Sequence, residues 1–166
     1  MDQFFVTRLG EPKPLSPNVL DWGRLVEARR LKPESAWSAP EALLCVLLAT
    51  ALCDKAFSTE EREYIRAVTH HSKGLRTLTQ EQLNALQWIV VDRLKAGVDL
   101  AVNAACAALP ADLRLPAFAQ ALDVALWDGD LSQVEAEFLD ELAVRLGVSE
   151  SEVRRIADVI LLKNQC

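Results

Sequence analysis

The sequence predicts an all-α fold, a single-domain helical bundle of seven or eight helices that contains an internal duplication of a helix pair. Apolar residues recur every three or four positions through most of the 166-residue chain. Serine or threonine followed three residues later by glutamate or glutamine, a pattern typical of helix amino termini, occurs repeatedly. No segment shows the sustained alternation of apolar and polar residues that indicates a half-buried strand.

The amino-terminal region differs from the rest of the chain. Residues 1–37 are predicted to form an extended arm followed by one helix, and residues 38–166 to form the main helical domain. Ser16 and Pro17 supply a capping hydroxyl and a proline at the first helical position, so we expect that helix to begin there and to end near Leu31.

The main domain is predicted to begin with a buried helix. Ser38 and Glu41 form a capping box, which places the helix start at this point and its end near Cys53. The stretch from Ala42 to Cys53 is apolar and uncharged, but a membrane span needs about 20 such residues. We therefore interpret it as a core helix and expect no direct membrane insertion.

The remaining helices follow from caps, glycines and prolines. Pro116 is expected to open a helix, and Gly97 to separate two others. The predicted spans run from Ser58 to Lys73, from Thr79 to Gly97, from there to Leu109, from Pro116 to Trp127, from Ser132 to Gly147, and from Ser149 to Lys163.

Charge and cysteine usage restrict the classes of function. The formal net charge of −6, from 24 acidic and 18 basic residues, opposes binding to nucleic acid or to an anionic bilayer. The amino terminus lacks the pattern of a secretory signal, so we expect a cytoplasmic protein. The cysteines are scattered, which predicts reduced core thiols and argues against a zinc site: Cys45, Cys53, Cys106 and Cys166.

An internal repeat supports the predicted duplication. Residues 51–64 align without a gap with residues 125–138. Each copy has an apolar helix, an aspartate, a short turn, a capping serine and a glutamate three residues after that serine. Two equivalent helical hairpins are therefore predicted to stack around a common core.

The second copy resembles a known family. The run from Ala125 to Glu135, together with Leu146-Gly147-Val148-Ser149, is similar to the second helix pair of TerB-like domains of the tellurite-resistance type. The resemblance extends over about residues 41–163. It implies an all-helical cytoplasmic protein associated with stress or tellurite resistance, with acidic turns that bind a divalent cation. The first copy departs from the family pattern, with Lys55 in place of the usual glycine and Ala56 opposite Asp130.

The acidic turns have two interpretations. Clustered carboxylates repel one another unless a cation such as calcium or magnesium neutralises them, which predicts Asp128, Asp130 and Glu135 of the second turn as ligands. Asp54 and Glu61 of the first turn form a weaker candidate set, because Lys55 can neutralise Asp54 there. The alternative is that Ser132 and Glu135 form a capping box while the aspartates shape the turn. The capping interpretation is favoured, because calcium takes about 6 to 8 oxygens and too few remain.

Other residues suggest no catalytic centre. His70 and His71 are adjacent on a helix, so they project about 100° apart and do not readily share a metal ion. We expect the tryptophans to pack in the core: Trp22, Trp37, Trp88 and Trp127. No nucleophile or phosphate-loop motif is present, and the acidic charge opposes direct capture of the tellurite oxyanion.

These observations predict a non-enzymatic helical module that acts by binding a partner protein and binds a divalent cation weakly at the second acidic turn. One alternative is a hydrolase or lyase that uses a carboxylate pair in a helical cleft, which requires carboxylates with raised pKa values inside a pocket. Another is a structural homodimer without a ligand, so the oligomeric state is predicted to be monomeric or dimeric.

Overall fold

A computed structural model describes residues 37–54, 66–67, 69–70, 72–126 and 131–165, and the regular elements in these ranges are all helical. They comprise six α-helices and a short 3₁₀ turn at Leu75–Thr77. In chain order the helices are α1 (Ala39–Leu52), α2 (Gln80–Ala96), α3 (Val98–Ala108), α4 (Ala111–Ala125), α5 (Gln133–Leu146) and α6 (Glu150–Lys163). The predicted all-α class is confirmed for these residues.

Two parts of the fold prediction remain predictions. The expected amino-terminal arm and helix lie outside the described residues, as does most of the helix expected from Ser58 to Lys73. The structure therefore tests neither the exact number of helices nor the internal duplication. Residues 66–67 and 69–70 are helical, in agreement with the expected helix there.

Helix α1 forms the centre of the bundle. Every residue from Pro40 to Ala51 is buried, and the helix contacts α2, α3, α4 and α5. A helix that is apolar on all sides is stable in water only when other elements surround it. Its one buried hydroxyl, at Thr50, donates to the main-chain oxygen of Val46 at 2.8 Å. The predicted core helix is thus confirmed.

Helices α2 and α3 each place one face against α1. Leu86, Val90 and Leu94 form the buried face of α2, at the spacing expected for one side of a helix. The buried face of α3 is made mostly of small side chains, which allow close approach to α1: Ala101, Val102, Ala105 and Cys106. Gly97 separates the two helices, as predicted, and its N–H donates to the main-chain oxygens of Arg93 and Leu94.

The expected start of α4 at Pro116 is wrong. The helix begins at Ala111, directly after Pro110, and Pro116 lies inside it. Pro116 is the sixth residue of this helix, beyond the first turn, so its missing N–H removes one main-chain hydrogen bond, the one to the Asp112 carbonyl. The ring of Pro116 is exposed, so the Asp112 carbonyl that its N–H would have reached is not sealed in the core. The helix ends at Ala125, close to the expected end.

The predicted ends of α5 and α6 are confirmed. Ser132 and Glu135 form a reciprocal capping box, with Glu135 N donating to Ser132 Oγ at 3.2 Å and Ser132 N donating to Glu135 Oε2 at 2.8 Å. Ser149 begins α6 in the same way. Gly147 ends α5 in the left-handed conformation, with φ 68°. Within the described ranges, every helix is too short or too polar to cross a membrane.

Candidate functional site

The end of α1 and the start of α5 bring acidic side chains of the two predicted turns to one region. Cys53 caps the end of α1, and the next residue, Asp54, is exposed. The pKa of the Cys53 thiol is raised to about 11, first by burial and then by the nearby carboxylates of Glu135 and Asp54. Since both carboxylates raise the pKa of the same thiol, Asp54 and Glu135 lie at the same end of the bundle.

Two of the five predicted metal ligands can be placed. Asp54 and Glu135 are described, whereas Asp128, Asp130 and Glu61 lie outside the described residues. Oε2 of Glu135 accepts the hydrogen bond that caps α5, so the capping interpretation is confirmed for this side chain. Within the described ranges, no three histidine, cysteine or acidic side chains are arranged to hold a metal ion. The predicted cation site therefore depends on Asp128 and Asp130.

A groove of about 1220 Å³ runs along α2. One part of its lining comes from α2 and the rest from residues 66–78, which precede that helix. Neither Asp54 nor Glu135 lines this groove. The lining residues are Arg66, Thr69, His70, Arg76, Thr77, Leu78, Gln80, Leu83, Asn84, Gln87, Trp88, Val91 and Lys95.

Trp88 is the most prominent apolar side chain of this groove. It is 79% exposed, so the expected core position of this tryptophan is wrong. The physical reason is helical geometry: position 88 is about 200° from both Leu86 and Val90, which face α1. Trp37 does pack against the core, as expected, with the Arg93 guanidinium 4.3 Å from its ring centre. Trp22 and Trp127 lie outside the described residues.

The groove is basic, although the protein is acidic. Among the described residues, the lining contains Arg66, Arg76 and Lys95, together with the exposed imidazole of His70, and no carboxylate. Net charge alone gave no indication of such a surface, because the cations lie on different segments of the chain. A sequence signal was nevertheless present in α2, where amide side chains and Trp88 recur at helical spacing on the side opposite the apolar face.

The buried thiols are structural. Cys45 and Cys106 are free and buried, as predicted, and they face each other across the contact between α1 and α3. Burial, and then the neighbouring Cys106, raise the pKa of Cys45 to about 12. Burial also raises the pKa of Cys106 to about 11, against the opposing effect of Arg145 and Arg114. Both groups are therefore protonated and unreactive at neutral pH.

Comparison with known proteins adds the family. A family model described as "Tellurite resistance protein TerB" matches residues 40–158, which include α1 to α5 and most of α6. This range agrees with the resemblance found in the sequence and confirms it. No curated protein and no solved structure gives a significant match to the chain.

Proposed function

Because the chain belongs to the TerB family, we propose that it is a non-enzymatic helical module that acts in the cytoplasm by binding another protein within a stress- or tellurite-resistance system. The observation that carries the proposal is the 79% exposed indole of Trp88 in the groove along α2. Tryptophan is enriched among the residues that dominate protein interfaces, since it buries a large apolar area and keeps one polar donor.

The groove is supported by a rigid part of the molecule. The face of α2 opposite Trp88 is anchored in the core by Leu86, Val90 and Leu94. A surface held in this way loses little conformational freedom when a partner binds, which favours affinity. The module thus resembles a fixed docking platform more than a segment that folds upon binding.

A complementation assay tests this proposal. In a bacterial strain that lacks the protein and has lost tellurite tolerance, the wild-type chain should restore growth, whereas Trp88→Ala should not. Val144→Ala is the matched control, because Val144 is 80% exposed on a different helix. Both variants should unfold within about 0.5 kcal/mol of the wild type, as exposed substitutions usually do.

Two outcomes contradict the proposal. If loss of the protein leaves tellurite and oxidative-stress tolerance unchanged, the role in resistance is wrong. If Trp88→Ala restores growth as well as Val144→Ala does, the groove is not the functional surface.

A second candidate function, weak binding of calcium or magnesium, is favoured by the shared location of Asp54 and Glu135. Two carboxylates near the half-buried thiol of Cys53 create a negative region that a hard cation would stabilise. Calorimetric titration with each ion should give heat for the wild type and none for Asp128→Asn/Asp130→Asn, with a matching change in tryptophan fluorescence from Trp127. Equal titrations of the two proteins would remove this candidate.

A further inference from the structure

The described lining of the groove contains cations and no acidic side chain to balance them. Arg66, Arg76 and Lys95 contribute cations, and the two carboxylates of the adjoining helix, Glu81 and Asp92, lie outside the lining. Among the described residues, the recorded ion pairs engage other arginines and lysines. A groove that combines unneutralised cations with low-dielectric walls attracts anionic ligands.

The cations extend along the whole groove. Arg76 precedes the start of α2, and Lys95 lies one residue before its end. Lys95 follows Gln80 by fifteen positions, which correspond to about 22 Å at a rise of about 1.5 Å per residue. An extended peptide of about seven residues covers this distance, whereas a small anion is too short to contact both Arg76 and Lys95.

The uncharged side chains of the groove suit a polypeptide. Trp88 lies near the middle of α2, between Arg76 and Lys95 along the chain. Gln80 and Asn84 join through a hydrogen bond of 2.9 Å from Nε2 to Oδ1, which leaves the Asn84 amide nitrogen as a donor. Gln87 adds a further amide. Amides of this kind pair with main-chain groups of any sequence, while the indole accommodates an apolar side chain.

We propose that the groove binds an extended acidic segment of a partner protein, and that an apolar side chain of this segment packs on Trp88. This inference rests on the proposed function and names the chemistry of its partner. A single nucleic-acid strand also has negative charge and stacking bases. It is disfavoured because the whole chain carries a formal charge of −6, which repels a long polyanion more strongly than a short segment.

The experiment is a fluorescence anisotropy titration of the intact chain with a labelled peptide rich in glutamate and aspartate that carries leucine. The same peptide with glutamine and asparagine in place of the acids, and an oligothymidylate of equal length, serve as comparison probes. The variant Arg76→Glu/Lys95→Glu reverses two cations of the groove. The control Arg154→Glu/Lys163→Glu changes net charge equally on α6, where Arg154 pairs with Glu150 one turn away and Lys163 pairs with Asp123 of α4.

We expect the acidic peptide to bind the wild type with an affinity that falls as salt increases. The groove variant and Trp88→Ala should each bind about tenfold more weakly or worse, whereas the α6 control should retain most of the affinity. Far-UV circular dichroism should show the same helical content for all variants.

Three outcomes overturn the inference. These are absence of salt-dependent binding to the acidic peptide, equal loss of affinity in the groove variant and the α6 control, and tighter binding of the oligothymidylate than of the peptide. Failure here is distinguishable from failure of the proposed function, because Trp88→Ala can abolish complementation even if reversal of Arg76 and Lys95 has no effect on binding.

Discussion

Replacement of Gly147 by alanine should destabilise the protein through backbone conformation alone. Gly147 has φ 68° and ψ 31°, in the left-handed region that glycine adopts readily. Its N–H donates to the main-chain oxygen of Val144 at 3.1 Å, and the next N–H, of Val148, donates to that of Ala143 at 2.9 Å. These two bonds form the Schellman motif that ends α5.

The magnitude follows from two opposing effects. A Cβ at position 147 would meet no atom within 4 Å, so the substitution introduces no steric contact. A left-handed conformation costs an L-residue about 1–2 kcal/mol, and the lower entropy of the unfolded alanine chain returns about 0.4–1 kcal/mol. Gly147→Ala should therefore lower the free energy of unfolding by about 1 kcal/mol.

Gly97 provides a matched control with the same chemical change. Its φ of 164° is extended backbone, and a Cβ there would lie 3.6 Å from Leu100 Cδ1, an ordinary contact. Gly97→Ala should leave stability unchanged or raise it by up to about 1 kcal/mol. Urea unfolding followed by circular dichroism gives both values, with an unchanged m-value as the requirement. If Gly147→Ala is as stable as Gly97→Ala, the argument from backbone conformation is refuted.

Two further predictions concern the core. Leu44→Ala removes a fully buried side chain of α1 and should lower the free energy of unfolding by about 2–5 kcal/mol in urea; a loss similar to that of the exposed Leu100→Ala would contradict the central position of α1. The pKa of Cys45 is raised from 9.0 to about 12, so this thiol stays protonated in the folded chain at pH values where the unfolded chain already ionises. Its contribution to the free energy of unfolding should therefore be fully present below pH 9 and decline from there to about pH 12. Unfolding measured across this range should show a smaller decline in Cys45→Ala, and an identical decline would contradict the assignment.

Local rules in the sequence predicted most helix boundaries in the described residues. The boxes at Ser132 and Ser149 are formed by hydrogen bonds between residues three apart, so the information lies within one turn of the chain. The start of α4 was predicted incorrectly because the prediction treats Pro116 as a first-turn proline, whereas the helix begins directly after Pro110 and Pro116 is its sixth residue. Only packing of the preceding residues, which bury part of Leu113 against the core, distinguishes them.

The candidate site was less accessible to sequence reasoning, since it depends on contacts between distant segments. Composition suggested a core position for Trp88, and the orientation of α2 against α1 determines that it lies outside. The proximity of Asp54 and Glu135 also results from tertiary packing, although the repeat had indicated equivalent positions for their two turns. Side-chain type is thus readable from the sequence, but the surface to which it contributes is not.

Because charge is unevenly distributed over the surface, the negative net charge does not exclude every anionic ligand. A formal charge of −6 sums over the whole surface, whereas a bound ligand interacts mainly with charges within about one Debye length, about 8 Å at physiological ionic strength. A ligand inside the groove lies closer than this to Arg76 or Lys95 and is screened from most of the acidic residues elsewhere. An acidic segment can therefore bind an acidic protein, provided that the contact is short and local. A long polyanion extends beyond the groove and comes within one Debye length of acidic residues elsewhere on the surface, so length, more than sign, should decide which anions bind.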